Sequence, residues 1–121
     1  MPRRKGNSPA DGEGKGYFAY EGLNRVLHEK ARLGILTALR TRADGLVFAE
    51  LKQLCSLTDG NLSAHSRTLE EAGYLKIEKT FQGRRPLTTM RLSPKGRKAF
   101  QRYLKTLRQI IDQGDETMGE E

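Results

Sequence analysis

From Leu23 to about Arg42, apolar side chains return every three or four residues. Leu23, Leu27, Ala31, Ile35 and Ala38 mark the stripe, and Leu36 and Leu39 widen it. This period predicts a long helical region with one buried face, open to a break near His28. Ala43-Asp44-Gly45 is turn chemistry, and Leu46-Val47-Phe48 is a short β-prone run suited to an edge strand. Phe48, Leu51, Leu54 and Cys55 then fall on one face of a short helix. Ser56-Leu57-Thr58-Asp59-Gly60 interrupts the pattern, and Ser56 or Thr58 can cap a second helix by accepting from a free N–H of its first turn. That helix turns Leu62, Leu69 and Ala72 inward and stops at Gly73, where a left-handed residue suits a helix end.

The period then changes to two. Tyr74 to Phe81 alternates apolar and mostly polar residues, Gln82-Gly83-Arg84-Arg85-Pro86 breaks the run, and Leu87 to Leu92 resumes it, which predicts a hairpin with a basic tip. Ser93-Pro94 opens a last helix, serine as cap and proline at the first position, where no N–H is required. It is expected to run to about Asp112, with Phe100, Leu104, Leu107 and Ile111 along one stripe. Residues 1–16 and 113–121 are too poor in apolar groups to offset the entropy of ordering. The expected organisation is therefore a disordered basic arm at 1–16, one domain at 17–112 and a disordered acidic tail at 113–121. The fold class is α+β, mainly α.

Composition narrows the partner. The 121 residues allow one compact domain, and the net charge of +7 is unevenly placed. Asp112, Asp115, Glu116, Glu120 and Glu121 crowd the last ten residues, and setting those five acids aside leaves +12 on residues 1–111. So basic a body favours a polyanion, nucleic acid before an anionic membrane surface. No run of roughly 18 apolar residues crosses a bilayer and no secretory leader is visible, so a cytoplasmic protein is expected. One cysteine and two histidines at unrelated spacing supply neither a disulfide nor a metal site. Neither a phosphate-cradling glycine motif nor a nucleophile–base or paired-carboxylate constellation is present, so no enzymatic activity and no cofactor are expected.

Helix, short strand, helix, turn, helix, hairpin, helix is the order of a winged helix-turn-helix, with a three-stranded wing sheet and a recognition helix that enters the major groove. With the buried stripe removed, the second helix of the pair presents Gly60, Asn61, Ser63, Ala64, Arg67 and Thr68. Arginine grips guanine O6 and N7, asparagine pairs with adenine N6 and N7, and hydroxyls serve bases or phosphates. His65, between the two faces, either contacts phosphate or packs. On the wing, Arg84 and Arg85 follow a turn-permitting Gly83 and precede a stiffening Pro86, a placement suited to phosphate or to a narrow minor groove, with Lys79 on the strand behind. Lys95, Lys98, Arg102 and Lys105 on the last helix form either a phosphate track or simply its wet face.

These segments also resemble the winged-helix regulators of the MarR and ArsR type. The likeness spans about Leu23 to Leu107 and rests on His28 to Leu36, Leu57 to His65, Leu69 to Leu75, Lys79 to Pro86 and Leu92 to Arg97. The resemblance implies a homodimeric regulator of double-stranded DNA, often a repressor, with Asn61 to Thr68 in the major groove and Arg84 and Arg85 on the wing. The last helix then becomes a dimerisation helix, and Leu23, Leu27, Phe100, Leu104, Leu107 and Ile111 are the expected dimer seam on a pseudo-palindromic operator; no effector is specified. Two departures stand out. Ser66 takes a core-directed position where such proteins commonly place leucine, which predicts looser packing of the recognition helix or a shift in its angle. Lys30 replaces a proline that opens the first helix, which allows Gly22 to Leu27 to continue that helix. The rival expectation is a winged-helix adaptor for an acidic protein, against which the absence of aromatic anchors on the recognition helix counts. Cys55 suggests either a redox sensor beside that helix or a small core residue.

Overall fold

The computed structural model describes residues 16–119, with side chains to Glu116. The expected arm lies outside the described residues except for Gly16. Four helices and a small sheet follow in the order α1 (Lys30–Arg40), β1 (Leu46–Val47), α2 (Phe48–Cys55), α3 (Asp59–Glu71), β2 (Leu75–Gln82), β3 (Arg85–Leu92) and α4 (Pro94–Gly119). The sheet is antiparallel in the order β1-β3-β2, so the two-residue β1 lies on the edge as its length suggests. α1, α2 and α3 close over one face of it around Ile35, Leu36, Leu51, Leu62 and Leu69, all fully buried.

Gly22 to Leu27 does not extend α1. Asn24 takes the backbone N–H of Val26 on its side-chain oxygen at 2.8 Å, which folds the segment into turns, and Glu29 caps α1 by accepting from Arg32 N–H at 3.1 Å. Local side-chain bonds of this kind compete directly with helix formation. α2 ends at Ser56, left-handed at φ 53°, and Thr58 caps α3 by accepting from Asn61 N–H at 3.1 Å. Three residues thus separate the two helices. α3 stops in a complete Schellman motif: Gly73 N–H bonds Glu70 C=O and Tyr74 N–H bonds Leu69 C=O, both at 2.9 Å, with Gly73 at φ 85°.

Two further expectations change. Arg85 and Pro86 belong to β3, opposite Gln82 and Phe81, so only Gly83 and Arg84 form the turn. Gly83 at φ 66° makes this a II′-type hairpin, whose twist matches that of the strands. α4 passes Asp112 and continues to Gly119, which places most of the expected tail in a helix. Gln113, Asp115 and Glu116 are all compatible with helix, and Tyr20 hydroxyl donates to Gln113 Oε1, pinning the N-terminal segment there.

α4 joins the domain at a single buried serine. Ser93 Oγ donates to Gly73 C=O at 2.6 Å and accepts from Gly96 N–H at 2.9 Å, while its own N–H bonds Tyr74 C=O at 3.0 Å. The end of α3, the start of β2 and the first turn of α4 therefore share one residue. Gly96 lets them meet, since a Cβ there would lie 2.0 Å from Tyr74 O.

Candidate nucleic-acid interface

α3 exposes Gly60, Asn61, Ser63, Ala64 and Arg67 and buries Leu62, Ser66 and Leu69, as its 3.6-residue period requires. Thr68 is half-buried, and its hydroxyl donates to Ala64 C=O at 3.2 Å. Ser66 is 1% exposed and donates to Met90 Sδ at 3.3 Å, so the departure from leucine is met by a weak acceptor rather than by an empty core. Beside it runs a cleft of about 640 Å3, with Ser63, Arg67 and Glu70 on the α3 wall and Ile77, Lys79 and Thr88 on the sheet wall.

His65 does not join the exposed face. Its Nδ1 accepts from Arg32 Nε at 3.2 Å, so the ring proton of the neutral form sits on Nε2, which faces Glu29 Oε2 at 3.7 Å. Arg32 also donates to Val26 C=O at 3.0 Å, and the backbone bond from Arg32 to the Glu29 carboxylate, with smaller help from His65 and Arg32, holds that carboxyl below the usual range. The three residues tie α3 to the start of α1. Sequence reasoning missed Arg32 because its partner lies 33 residues away on another helix.

On the wing, Lys79, Gly83, Arg84 and Arg85 are exposed, and Arg91 pairs with Glu78 at 3.1 Å on the face opposite Lys79, which also carries Arg85. Among the described residues, no hydrogen bond or ion pair engages the side chains of Asn61, Arg67, Lys79, Arg84 or Arg85. Five hydrogen-bonding side chains on two adjoining elements are thereby left open to solvent. Sequence reasoning also missed Phe81, 73% exposed on the same hairpin, and the exposed Tyr17 and Phe18 beside Tyr20.

The expected dimer seam divides. Leu27 and Phe100 are buried in the chain's own core, and Leu23 and Leu107 pack against it half-buried. Leu104 and Ile111 alone of the six face outward. A helical stripe reports that a face is covered, not by which neighbour, and here α4's stripe is shared with the domain it flanks. The α4 cations Lys95, Lys98, Arg102 and Lys105 are exposed, Lys95 over the Tyr74 ring at 5.6 Å. Burial pushes the Cys55 thiol up, away from the thiolate a sensor uses. Among the described residues, no helix is long and apolar enough to cross a membrane, and no cluster of His, Cys, Asp or Glu can hold a metal ion.

Known proteins share this arrangement. An uncharacterised protein of Methanocaldococcus jannaschii is 34% identical over 89 residues, 71% of this chain and 92% of the relative. A transcriptional regulator homologue from Pyrococcus horikoshii OT3 superposes with a TM-score of 0.71 at 33% identity, over 76% of this chain and 90% of that one. A MarR family transcriptional regulator from Silicibacter pomeroyi shares the fold at 21% identity, with a TM-score of 0.58 over 78% of this chain and 64% of its own. Residues 31–111 match the family described as winged helix DNA-binding domain, and α2, α3 and the β2–β3 hairpin all lie within the match. This chain belongs to the winged helix DNA-binding domain family.

Proposed function

We propose that the protein is a sequence-selective transcription regulator that binds double-stranded DNA as a homodimer, most simply as a repressor, in the cytoplasm. The observation that carries this reading is the unpartnered face of Asn61, Ser63 and Arg67 on α3 beside a wing bearing Lys79, Arg84 and Arg85. In this reading α3 lies in the major groove, where Arg67 reads guanine and Asn61 adenine, while the wing cations hold flanking phosphates or the minor groove. His65 serves as a structural tether rather than a DNA contact.

Leu104 and Ile111, seven residues apart on α4, form the centre of the dimer seam, with Tyr17 and Phe18 available at its margin. Pairing has a mechanical purpose: two recognition helices about 34 Å apart reach successive major grooves on one face of a near-palindromic site. The groove between α1 and α2, lined by Leu33, Ala38, Leu54 and Leu57, is left without a role in this scheme.

The adaptor reading gains from one observation, the exposed Phe81, an aromatic of the type that anchors protein contacts. Titration of genomic and random duplex pools at several salt concentrations separates the two. Regulation predicts tight binding of a subset of genomic fragments with affinity falling steeply in salt. Arg67→Ala should reduce discrimination between specific and random duplexes, and Arg84→Ala with Arg85→Ala should weaken both alike. Salt-insensitive or absent binding would favour the adaptor.

A further inference from the structure

Phe81 stands on the wing with almost three quarters of its surface in solvent, and it is the one large exposed apolar side chain on α3 or the wing among the described residues. Its position is stiff. Because the turn holds two residues, Gln82 and Arg85 form the hydrogen-bonded pair that closes the hairpin. Phe81 and Pro86 are then the next pair, a non-hydrogen-bonded one in which the side chains approach most closely. The missing N–H of Pro86 points away from β2, and β1 reaches β3 only at Thr89 and Met90, so the proline leaves no bond unmade. Its ring restrains the strand directly beside the phenyl ring.

Its direction is also set. Strand alternation places Phe81 on the face that carries Leu75, Ile77 and Lys79, and Ile77 and Lys79 line the cleft against α3. Phe81 is the next step along that face, beyond the cleft. Lys79 shares its face, Arg84 stands in the adjoining turn and Arg85 projects from the other face of the hairpin, and residues 79–92 contain no acid. An apolar plate framed by cations complements a stack of bases inside an anionic backbone better than it complements an apolar protein surface. A duplex lying on α3 would meet both elements together.

We propose that Phe81, backed by Pro86, is a wedge that enters the minor groove beside the α3 site and partly opens one base step there. Apolar side chains inserted in this way kink a duplex toward its major groove. Pyrimidine–purine steps unstack most easily, so the wing would select such a step at a position that no hydrogen bond reads. The wedge rests on the DNA-binding reading and adds a sequence preference outside the reach of α3.

The test uses the full chain and a duplex recovered from the genomic pool, with 2-aminopurine placed in turn at each flanking position and a fluorophore pair at the duplex ends. The wild type should raise 2-aminopurine fluorescence at one flanking step and shorten the end-to-end distance. Phe81→Ala and the β-compatible Phe81→Thr should lose both signals and bind roughly tenfold or more weakly, while keeping the preference attributed to Arg67. Unchanged thermal unfolding of either variant shows that its hairpin is intact. Wild-type binding with neither signal, or variants that match the wild type in affinity and fluorescence, would overturn the wedge and leave DNA binding standing. No wild-type binding to any duplex would overturn the DNA reading itself. A self-association in the absence of DNA that Phe81→Ala abolishes would assign the ring to a protein contact and overturn the wedge.

Discussion

Replacing Gly96 by alanine sets two effects of opposite sign against each other. In a helix interior the added methyl removes backbone freedom from the unfolded chain and contributes about 0.5–1 kcal/mol. At Gly96, however, the new Cβ would lie 2.0 Å from the Tyr74 carbonyl oxygen and 2.8 Å from its carbon. A carbon and an oxygen in ordinary contact stand about 3.3–3.6 Å apart, so β2 and α4 must separate by about 1 Å or more. Both neighbours are backbone, with no flexible end to swing aside. Overpacking of this kind costs about 1–3 kcal/mol, and the retreating carbonyl also gives up its bond from Ser93 N–H, worth about 1 kcal/mol. The net loss is about 2 kcal/mol, or roughly 10 °C in a domain of this size. Gly114 is the internal control: it lies in the same helix with nothing within 4 Å of its Cβ position. Gly114→Ala should keep the propensity gain, up to about 1 kcal/mol. Thermal and urea unfolding followed by circular dichroism, at one protein concentration, measures both. A Gly96→Ala protein that melts at or above the wild type would refute the close approach.

Other expectations follow from contacts already described. Arg32→Leu removes the donors to His65 and Val26 and should cost about 1–3 kcal/mol in urea unfolding, whereas His65→Ala should leave DNA affinity far less affected than Arg67→Ala. Because the folded-state pKa of Glu29 is depressed, its contribution is present above the ordinary carboxylate range and is lost as pH falls through the lowered value. Glu29→Gln should therefore be less stable than the wild type at neutral pH, and the gap should close on acidification in parallel melting curves. Burial raises the Cys55 pKa, so iodoacetamide should label it more slowly at neutral pH than a free thiol, and Cys55→Ser should bind DNA as the wild type does with or without mild peroxide. Ile111→Asp together with Leu104→Asp should shift the sedimentation coefficient from dimer to monomer without unfolding the chain, since both side chains face solvent.

Much of the fold is legible because its boundaries are written in local chemistry. Thr58, Gly73 and Ser93 cap or end helices through bonds to residues close in the chain, Pro94 sits where no N–H is needed, and a change of period from 3.6 to 2 marks the passage into the hairpin. The readings that changed depended on partners far away in sequence. Leu27 and Phe100 carry the right pattern for a covered surface, but only the folded chain shows that the cover is its own core. Pro86 reads as a strand breaker unless the register shows that its absent N–H faces an open edge. His65 falls between two faces by helical spacing, and only its bond from Arg32 assigns it to one. Phe81 fits the alternation of its strand, and only its exposure in the folded chain distinguishes it from Leu75 on the same face. The α3 surface itself was visible as what remains after the buried stripe is removed, which is why Asn61, Ser63 and Arg67 appear where expected.

Ser93 carries a last consequence for the proposed dimer. One hydroxyl fastens the tail of the reading helix to the head of the pairing helix, so the joint works as a rigid elbow with no slack between them. Half-site spacing would then be a fixed dimension of the protein rather than something a flexible linker adjusts. Sites one or two base pairs too long or too short should be rejected outright, whatever the quality of their individual bases.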